Sequence, residues 1–191
     1  MRIAVYSGSF DPLHIGHLAI LERLTGSGRF DRVYLVVSPQ NPFKDSSKAL
    51  SAEQRYRDAV AAVARHPQLR VDVLDIELRM PPPSYTIRTL DELRRREPGN
   101  SFTLVIGADN LPNLLRWREA ERLLAEYGVA VFPRKGVSAE YRRRKLMEAC
   151  RDYPPEKRFR IRLFHVPEVD VSSTEIREAQ ARGEDVSALL M

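Results

Sequence analysis

Cysteine is almost missing from this chain: Cys150 stands alone among 191 residues. No internal disulfide can form, and a reducing compartment is expected. Long apolar runs are missing too. The run at residues 3–6 stops at a turn, too soon for a secretory signal peptide, and no stretch approaches the roughly 20 apolar residues of a membrane span. The expected setting is cytoplasmic, with no membrane partner. There is no internal repeat and no low-complexity tract. Aromatic residues are few, and none interrupts the basic run Arg142-Arg143-Arg144-Lys145. Nucleic-acid grooves interleave aromatics with cations. The run, like Arg158, Arg160 and Arg162, therefore reads as solvated surface, and no nucleic-acid partner is expected. The net charge of +5 still favours small phosphorylated ligands.

What is present is an ordinary globular composition, 43% hydrophobic and 30% charged, on a chain long enough for one domain spanning 1–191. Apolar runs alternate with helix-period segments. Strands are expected at 2–7, 32–38, 70–74, 101–106, 129–132 and 160–165. Helices are expected at 15–24, 51–66, 84–96, within 113–127 ended by Gly128, at 138–150 and at 172–181. The helix at 51–66 opens on a Ser51/Gln54 capping box and turns Tyr56, Ala59, Val60 and Val63 inward. Pro81-Pro82-Pro83 marks a loop. Strand then helix, repeated, predicts an α/β protein: a Rossmann-like, doubly wound, mostly parallel sheet with helices on both faces.

Ligands in such sheets bind beyond the carboxyl ends of the strands. A polar cluster follows each expected strand: Gly8 to His17, Asn41-Pro42-Phe43-Lys44, Ser84-Tyr85-Thr86, Gly107-Ala108-Asp109, Pro133-Arg134, and Ser172 to Arg177. In a parallel sheet all six converge on one rim.

The first cluster reads Gly8-Ser9-Phe10-Asp11-Pro12-Leu13-His14-Ile15-Gly16-His17. Gly8 lets backbone approach a ligand. Free amides and the dipole of a helix starting near residues 13–15 favour an anion. His14 and His17 share a helical face, with Gly16 leaving room between them, and two imidazoles can donate to phosphoryl oxygens. A shared metal is the other reading of the pair, but no third ligand at matching spacing is evident, so no protein-held metal is expected. In the last cluster Ser172 and Glu175 spell a capping box, a sufficient explanation for those two. Ser173 and Thr174 add hydroxyls at a positive helix end, and Arg177 offers a planar fork for phosphate.

These two motifs resemble the HxGH nucleotidylyltransferase superfamily, and the middle motifs make the resemblance closest to bacterial nicotinate mononucleotide adenylyltransferases. The match runs from residue 7 to residue 177. It implies that ATP and nicotinate mononucleotide give deamido-NAD and pyrophosphate, with Mg²⁺ required. The acceptor phosphate attacks the α-phosphorus in line, with no covalent enzyme intermediate. It implies catalytic roles for His14, His17, Lys44 and Arg177. It places ATP against Gly8, Ser9, Phe10, His14, Gly16, His17, Gly107, Asp109, Ser172, Ser173, Thr174 and Arg177. It places the mononucleotide against Ser9, Lys44, Tyr85, Thr86, Trp117 and Arg134. Trp117 would stack on the pyridine, though stacking and burial suit a tryptophan equally. Two residues depart from the family pattern: Ser7 stands where a second glycine is common, and Phe43 where a histidine precedes the lysine.

Other readings remain: an adenylyltransferase of nicotinamide mononucleotide or phosphopantetheine, a cytidylyltransferase, a nucleotide-sensing module without turnover, or a class I aminoacyl-tRNA synthetase fragment. The phosphopantetheine enzymes carry threonine where His14 stands. Sensing alone needs fewer phosphate donors than two histidines. The synthetase reading lacks a KMSKS-like segment. Whether the chain forms a homo-oligomer is left open by the sequence, as is whether residues 40–50 close as a lid.

Overall fold

A computed structural model describes residues 1–39, 51–134, 136–153, 159–167 and 169–191. Lys44, Phe43 and the expected lid at 40–50 lie outside the described residues. The described elements alternate as anticipated: β1 (Arg2–Gly8), α1 (Ile15–Gly26), β2 (Arg32–Val37), α2 (Ala52–Ala64), β3 (Val71–Leu74), α3 (Ile76–Arg79), α4 (Thr86–Arg96) and β4 (Ser101–Gly107). Then follow a 3₁₀ segment (Ala108–Arg116), α5 (Ala120–Arg122), a π turn (Leu123–Tyr127), β5 (Val129–Phe132), α6 (Ala139–Ala149), β6 (Ile161–Leu163) and α7 (Ser173–Ala181).

All six strands pair in parallel, in the order β3-β2-β1-β4-β5-β6. The alternation along β1 shows why the strands are apolar almost throughout. Ile3 and Val5 pack with Ile87, Leu90 and Leu93 on one face; Ala4 and Tyr6 pack with Leu21, Leu24 and Ala59 on the other. Both faces are covered, so neither parity can be polar. The order reverses at β1, which has β2 on one side and β4 on the other, and the carboxyl ends beside this switch point form the expected crevice.

Four expectations need correction. Helix α2 does not turn Val60 inward: Arg55, Ala59 and Ala62 are its buried residues and Val60 is exposed. Its capping box is half-made. Ser51 Oγ accepts from the Gln54 amide at 3.2 Å, but the Gln54 side chain bonds Asp58 instead of returning to the cap. The segment expected to be one helix within 113–127 is broken. It starts earlier, as a 3₁₀ helix at Ala108, because Ala108, Leu111 and Leu114 are buried at a spacing of three, which a three-residue turn stacks on one face. Glu119 then takes φ +51° and the chain re-enters through α5 and the π turn, ended by Gly128 at φ +73°. The last strand is short, covering only Ile161–Leu163. The helix α3 was not anticipated.

Side chains fasten the broken segment to α4. Tyr127 Oη donates to Asp91 Oδ1 at 2.6 Å, and Arg122 closes on the same carboxylate. Just past the 3₁₀ segment's end, the Arg118 guanidinium lies 5.6 Å from the Tyr85 ring centroid at the start of α4.

Candidate functional site

A cleft of about 380 Å³ opens at the carboxyl ends of the strands, lined among others by His14, Gly16, His17, Asp109, Arg134 and Ser172. Four of the six clusters named from the sequence, those after β1, β4, β5 and β6, therefore meet as expected. The cluster after β2 lies outside the described residues. Ser84-Tyr85-Thr86 does not line this cleft.

The histidine pair is built by the start of α1. His14 is the N-cap, and its Nδ1 accepts from the Gly16 amide at 3.1 Å. The His14 amide in turn donates to Nδ1 of His17 at 3.2 Å. This is a capping box made by two imidazoles, and their centroids are 3.8 Å apart. Each Nδ1 is an acceptor, so each neutral ring carries its proton on Nε2. Burial, then the nearby Arg134, pulls the pKa of His14 from 6.5 down to about 4. Burial, then His14 itself, then Arg134, holds His17 well below its ordinary value. At neutral pH the site thus presents two uncharged Nε2–H donors. The Gly16 amide is taken by His14.

The glycines make room for neighbouring side chains. A Cβ on Gly8 would sit 3.0 Å from the Phe10 ring, so Gly8 makes space for that ring. Phe10 itself is buried at φ +47°, edge-on to Tyr6 and to His17 with centroids 5.3 Å away in both cases. Its side chain supports His17 from below. A Cβ on Gly16 would meet the His14 ring at 3.0 Å. A Cβ on Gly107 would lie 2.3 Å from Asp109 Oδ1 and 2.7 Å from Arg134 Nε. Gly107 is what lets Asp109 and Arg134 pair, at 3.5 Å. Arg134, expected at the mononucleotide, lines the cleft with the histidines.

The two end motifs touch. Ser173 Oγ donates to the Pro12 carbonyl at 3.1 Å, and Arg177 Nη1 donates to the Asp11 carbonyl at 2.5 Å. Arg177 Nη2 also reaches Thr174 Oγ1 at 3.2 Å. Ser172 and Glu175 form the anticipated reciprocal capping box. Helix α7 is thereby docked on the loop that leads into the histidines. Sequence reasoning missed the other supports of that loop. Arg55, only 2% exposed, donates to the Ser9 carbonyl, and burial lowers its pKa while Asp11 opposes that. Asp11 is buried close to both Arg55 and Arg177. Near the other end of the chain, the Met191 amide donates to the Leu13 carbonyl at 3.3 Å and Leu190 bridges His14. Arg55 sits at i−4 from Ala59 on the apolar stripe of α2, and a charge at that position was the available signal.

The second group lies around the start of α4. Tyr85 is 41% exposed and Thr86 opens the helix. The Tyr85 cap makes no side-chain hydrogen bond, whereas α1, α2, α6 and α7 each have one. Trp117 is half-buried and packs on the core, so burial accounts for part of it. Among the described residues no three His, Cys, Asp or Glu gather as a metal site, and no helix is long and apolar enough to cross a membrane.

Fold and cleft together define a Rossmann-like nucleotidyltransferase. The chain matches the Cytidylyltransferase-like family over residues 5–179 and belongs to that family. Within it, the chain belongs with the nicotinate-nucleotide adenylyltransferases. It is 36% identical over 189 residues to a "probable nicotinate-nucleotide adenylyltransferase" of Bacteroides fragilis, covering 99% of this chain and 87% of that one. It is 33% identical over 190 residues to the like-named protein of Flavobacterium johnsoniae, covering 100% and 92%. Among solved structures, Plasmodium falciparum nicotinic acid mononucleotide adenylyltransferase complexed with NaAD superposes with a TM-score of 0.78 at 18% identity, covering 97% of this chain and 87% of that one. The same enzyme complexed with APC gives 0.73 at 17%, covering 99% and 90%. At such identity the structures speak for the fold alone.

Proposed function

We propose that the chain, acting over 1–191 as one nucleotidyltransferase domain, joins ATP to nicotinate mononucleotide, releasing pyrophosphate and forming nicotinate adenine dinucleotide in NAD biosynthesis. The observation that carries the chemistry is the histidine pair, held as neutral Nε2–H donors in the cleft beside the switch point. The names of the relatives carry the acceptor's identity.

In this reading an oxygen of the mononucleotide phosphate attacks the α-phosphorus of ATP. The bond from that phosphorus to the bridging oxygen of the β-phosphate breaks, and pyrophosphate departs with the electron pair. The nucleophile is already an anion, so no strong general base is needed. The work is alignment and charge stabilisation. His14 and His17 donate to phosphate oxygens, with His17 at the α-phosphate. Ser173 and Arg177 receive the departing phosphates, which requires Arg177 to exchange part of its hold on Asp11 and Thr174. Gly107 and Asp109 face the nucleotide, Asp109 by hydrogen bonds to its hydroxyls. Arg134 adds positive charge on the same wall. Lys44 neutralises charge between the substrates. Mg²⁺ arrives with the triphosphate as part of the substrate.

The start of α4 favours the acid over the amide acceptor. Its first-turn amides have no side-chain acceptor at the cap, and Arg118 stands beside Tyr85. Free amides at a positive helix end suit a carboxylate better than a neutral carboxamide. Tyr85 and Thr86 would receive the nicotinate carboxylate, and the exposed part of Trp117 would cover the pyridine. The test is pyrophosphate release with ATP, Mg²⁺ and, in turn, nicotinate mononucleotide, nicotinamide mononucleotide and phosphopantetheine. Release with the first at more than roughly tenfold the rate of the second is expected. Equal rates with the first two would remove the preference for the acid.

A further inference from the structure

Ser7 departs from the family's usual glycine, and its hydroxyl has a partner. Ser7 Oγ donates to Glu77 Oε1 at 3.2 Å, and Thr89 Oγ1 donates to the same oxygen at 2.9 Å. Ser38 Oγ lies 2.8 Å from Ser7 Oγ. A serine has one proton to give. Ser7 gives it to Glu77, so Ser38 is the donor within the serine pair.

Glu77 is 4% exposed and Thr89 1%. A carboxylate at such a place is a poor source of stability, because an apolar residue of the same shape would serve as well or better. What the group does have is reach. It sits on α3, while its donors sit on β1 and α4, and the next link follows β2. Ser7 leads directly into Gly8 and Ser9, the loop that carries the histidines. Thr89 lies one turn inside α4, and its amide bonds the Tyr85 carbonyl at 3.3 Å.

We propose that Glu77 is a positioning residue for the acceptor: by gripping Ser7 and Thr89 at once, it sets the Tyr85–Thr86 turn relative to the end of β1. The two halves of the site are otherwise built on opposite faces of the sheet. Helix α4 packs on the face of Ile3 and Val5, and α1 on the face of Ala4 and Tyr6. Ser7 has the parity of the α4 face, so Glu77 links α4 to the strand that the histidine loop leaves. The proposal rests on the reading that Tyr85 and Thr86 receive the mononucleotide.

The experiment compares Glu77→Ala, Glu77→Gln and Thr89→Val in the full chain by steady-state kinetics. Glu77→Ala is expected to raise KM for nicotinate mononucleotide roughly tenfold or more, with KM for ATP changed less than about twofold. Glu77→Gln keeps an acceptor oxygen and should recover most of the loss. Thr89→Val, nearly isosteric, should reproduce the loss without the risk of unfolding that Glu77→Ala carries. Equal changes in both KM values, or a lowered melting temperature with both KM values unchanged, would overturn the proposal. A wild-type chain that releases no pyrophosphate would fail the proposed function, not this inference. Amide hydrogen exchange at residues 86–90 would then decide. Exchange faster by roughly tenfold in Thr89→Val and Glu77→Ala supports the tie, and unchanged exchange overturns it.

Discussion

The backbone amide of His14 donates to Nδ1 of His17 at 3.2 Å, while Nδ1 of His14 accepts from Gly16 at 3.1 Å. The two side chains proposed as phosphate ligands are thus also the caps of their own helix. The caps fix both tautomers before any substrate arrives, leaving Nε2–H as the only donor on each ring. Such fixed donors require little reorganisation as charge grows on the phosphates.

That double role separates two substitutions. His17→Asn keeps an oxygen close to the position of Nδ1, so the cap can survive, but loses the Nε2–H. It should lower turnover by about 10²-fold or more while moving the melting temperature only a few degrees. His17→Ala removes cap and packing together and should add a loss of roughly 1–2 kcal/mol of stability. Comparing kcat and thermal melts for the pair checks this. Equal turnover in wild type and His17→Asn would make His17 a structural residue.

The pH dependence has a definite sign. The folded pKa of His14, about 4, lies below its ordinary 6.5. Between these values the unfolded chain binds more protons, so stability rises with pH. The contribution is complete above about 6.5 and is lost as pH falls toward 4, amounting to on the order of 3 kcal/mol. His17 acts in the same direction. Melting temperatures from pH 4 to 7, with imidazole titration by NMR, test it. The acid limb of kcat/KM for ATP should fall below pH 5. A limb centred near 6.5 would show that the rings titrate freely.

Gly107→Ala tests the wall opposite the histidines. The added methyl would occupy the space of Asp109 Oδ1 and Arg134 Nε and force the pair apart. KM for ATP should rise by roughly five- to tenfold, with about 1–2 kcal/mol of destabilisation from overpacking. An unchanged KM would place the nucleotide away from Asp109.

Arg55→Leu tests the buried support of the loop. Losing this cation orphans the Ser9 carbonyl and leaves Asp11 with Arg177 as its nearby cation. Breaking a buried charge arrangement from one side costs about 3–5 kcal/mol, and chemical denaturation should show a loss near that size. A loss under about 1 kcal/mol would mean that Asp11 and Ser9 are held by other contacts.

The sequence reveals most where one physical rule dominates. Strands apolar on both parities could only be a parallel sheet under two helical layers, and the polar residues after β1, β4, β5 and β6 did meet. The 108–127 segment was misread because a helix period was assumed where Ala108, Leu111 and Leu114 repeat at three. Val60 was misplaced because hydrophobicity was taken to decide the face of α2, when buried Arg55 shares that face with Ala59. The Phe10 ring beside Gly8 and the pairing of Arg134 with Asp109 are not visible in a linear motif. Ser7 was legible as a departure, but Glu77 and Thr89 are 70 and 82 residues away and only the fold joins them.

The proposed transfer is tested most directly by product identification after incubating the chain with MgATP and nicotinate mononucleotide. One equivalent of pyrophosphate per nicotinate adenine dinucleotide formed is expected, with loss of both in His17→Asn. Pyrophosphate or ADP released with no dinucleotide, or no turnover with any phosphorylated acceptor, would contradict it.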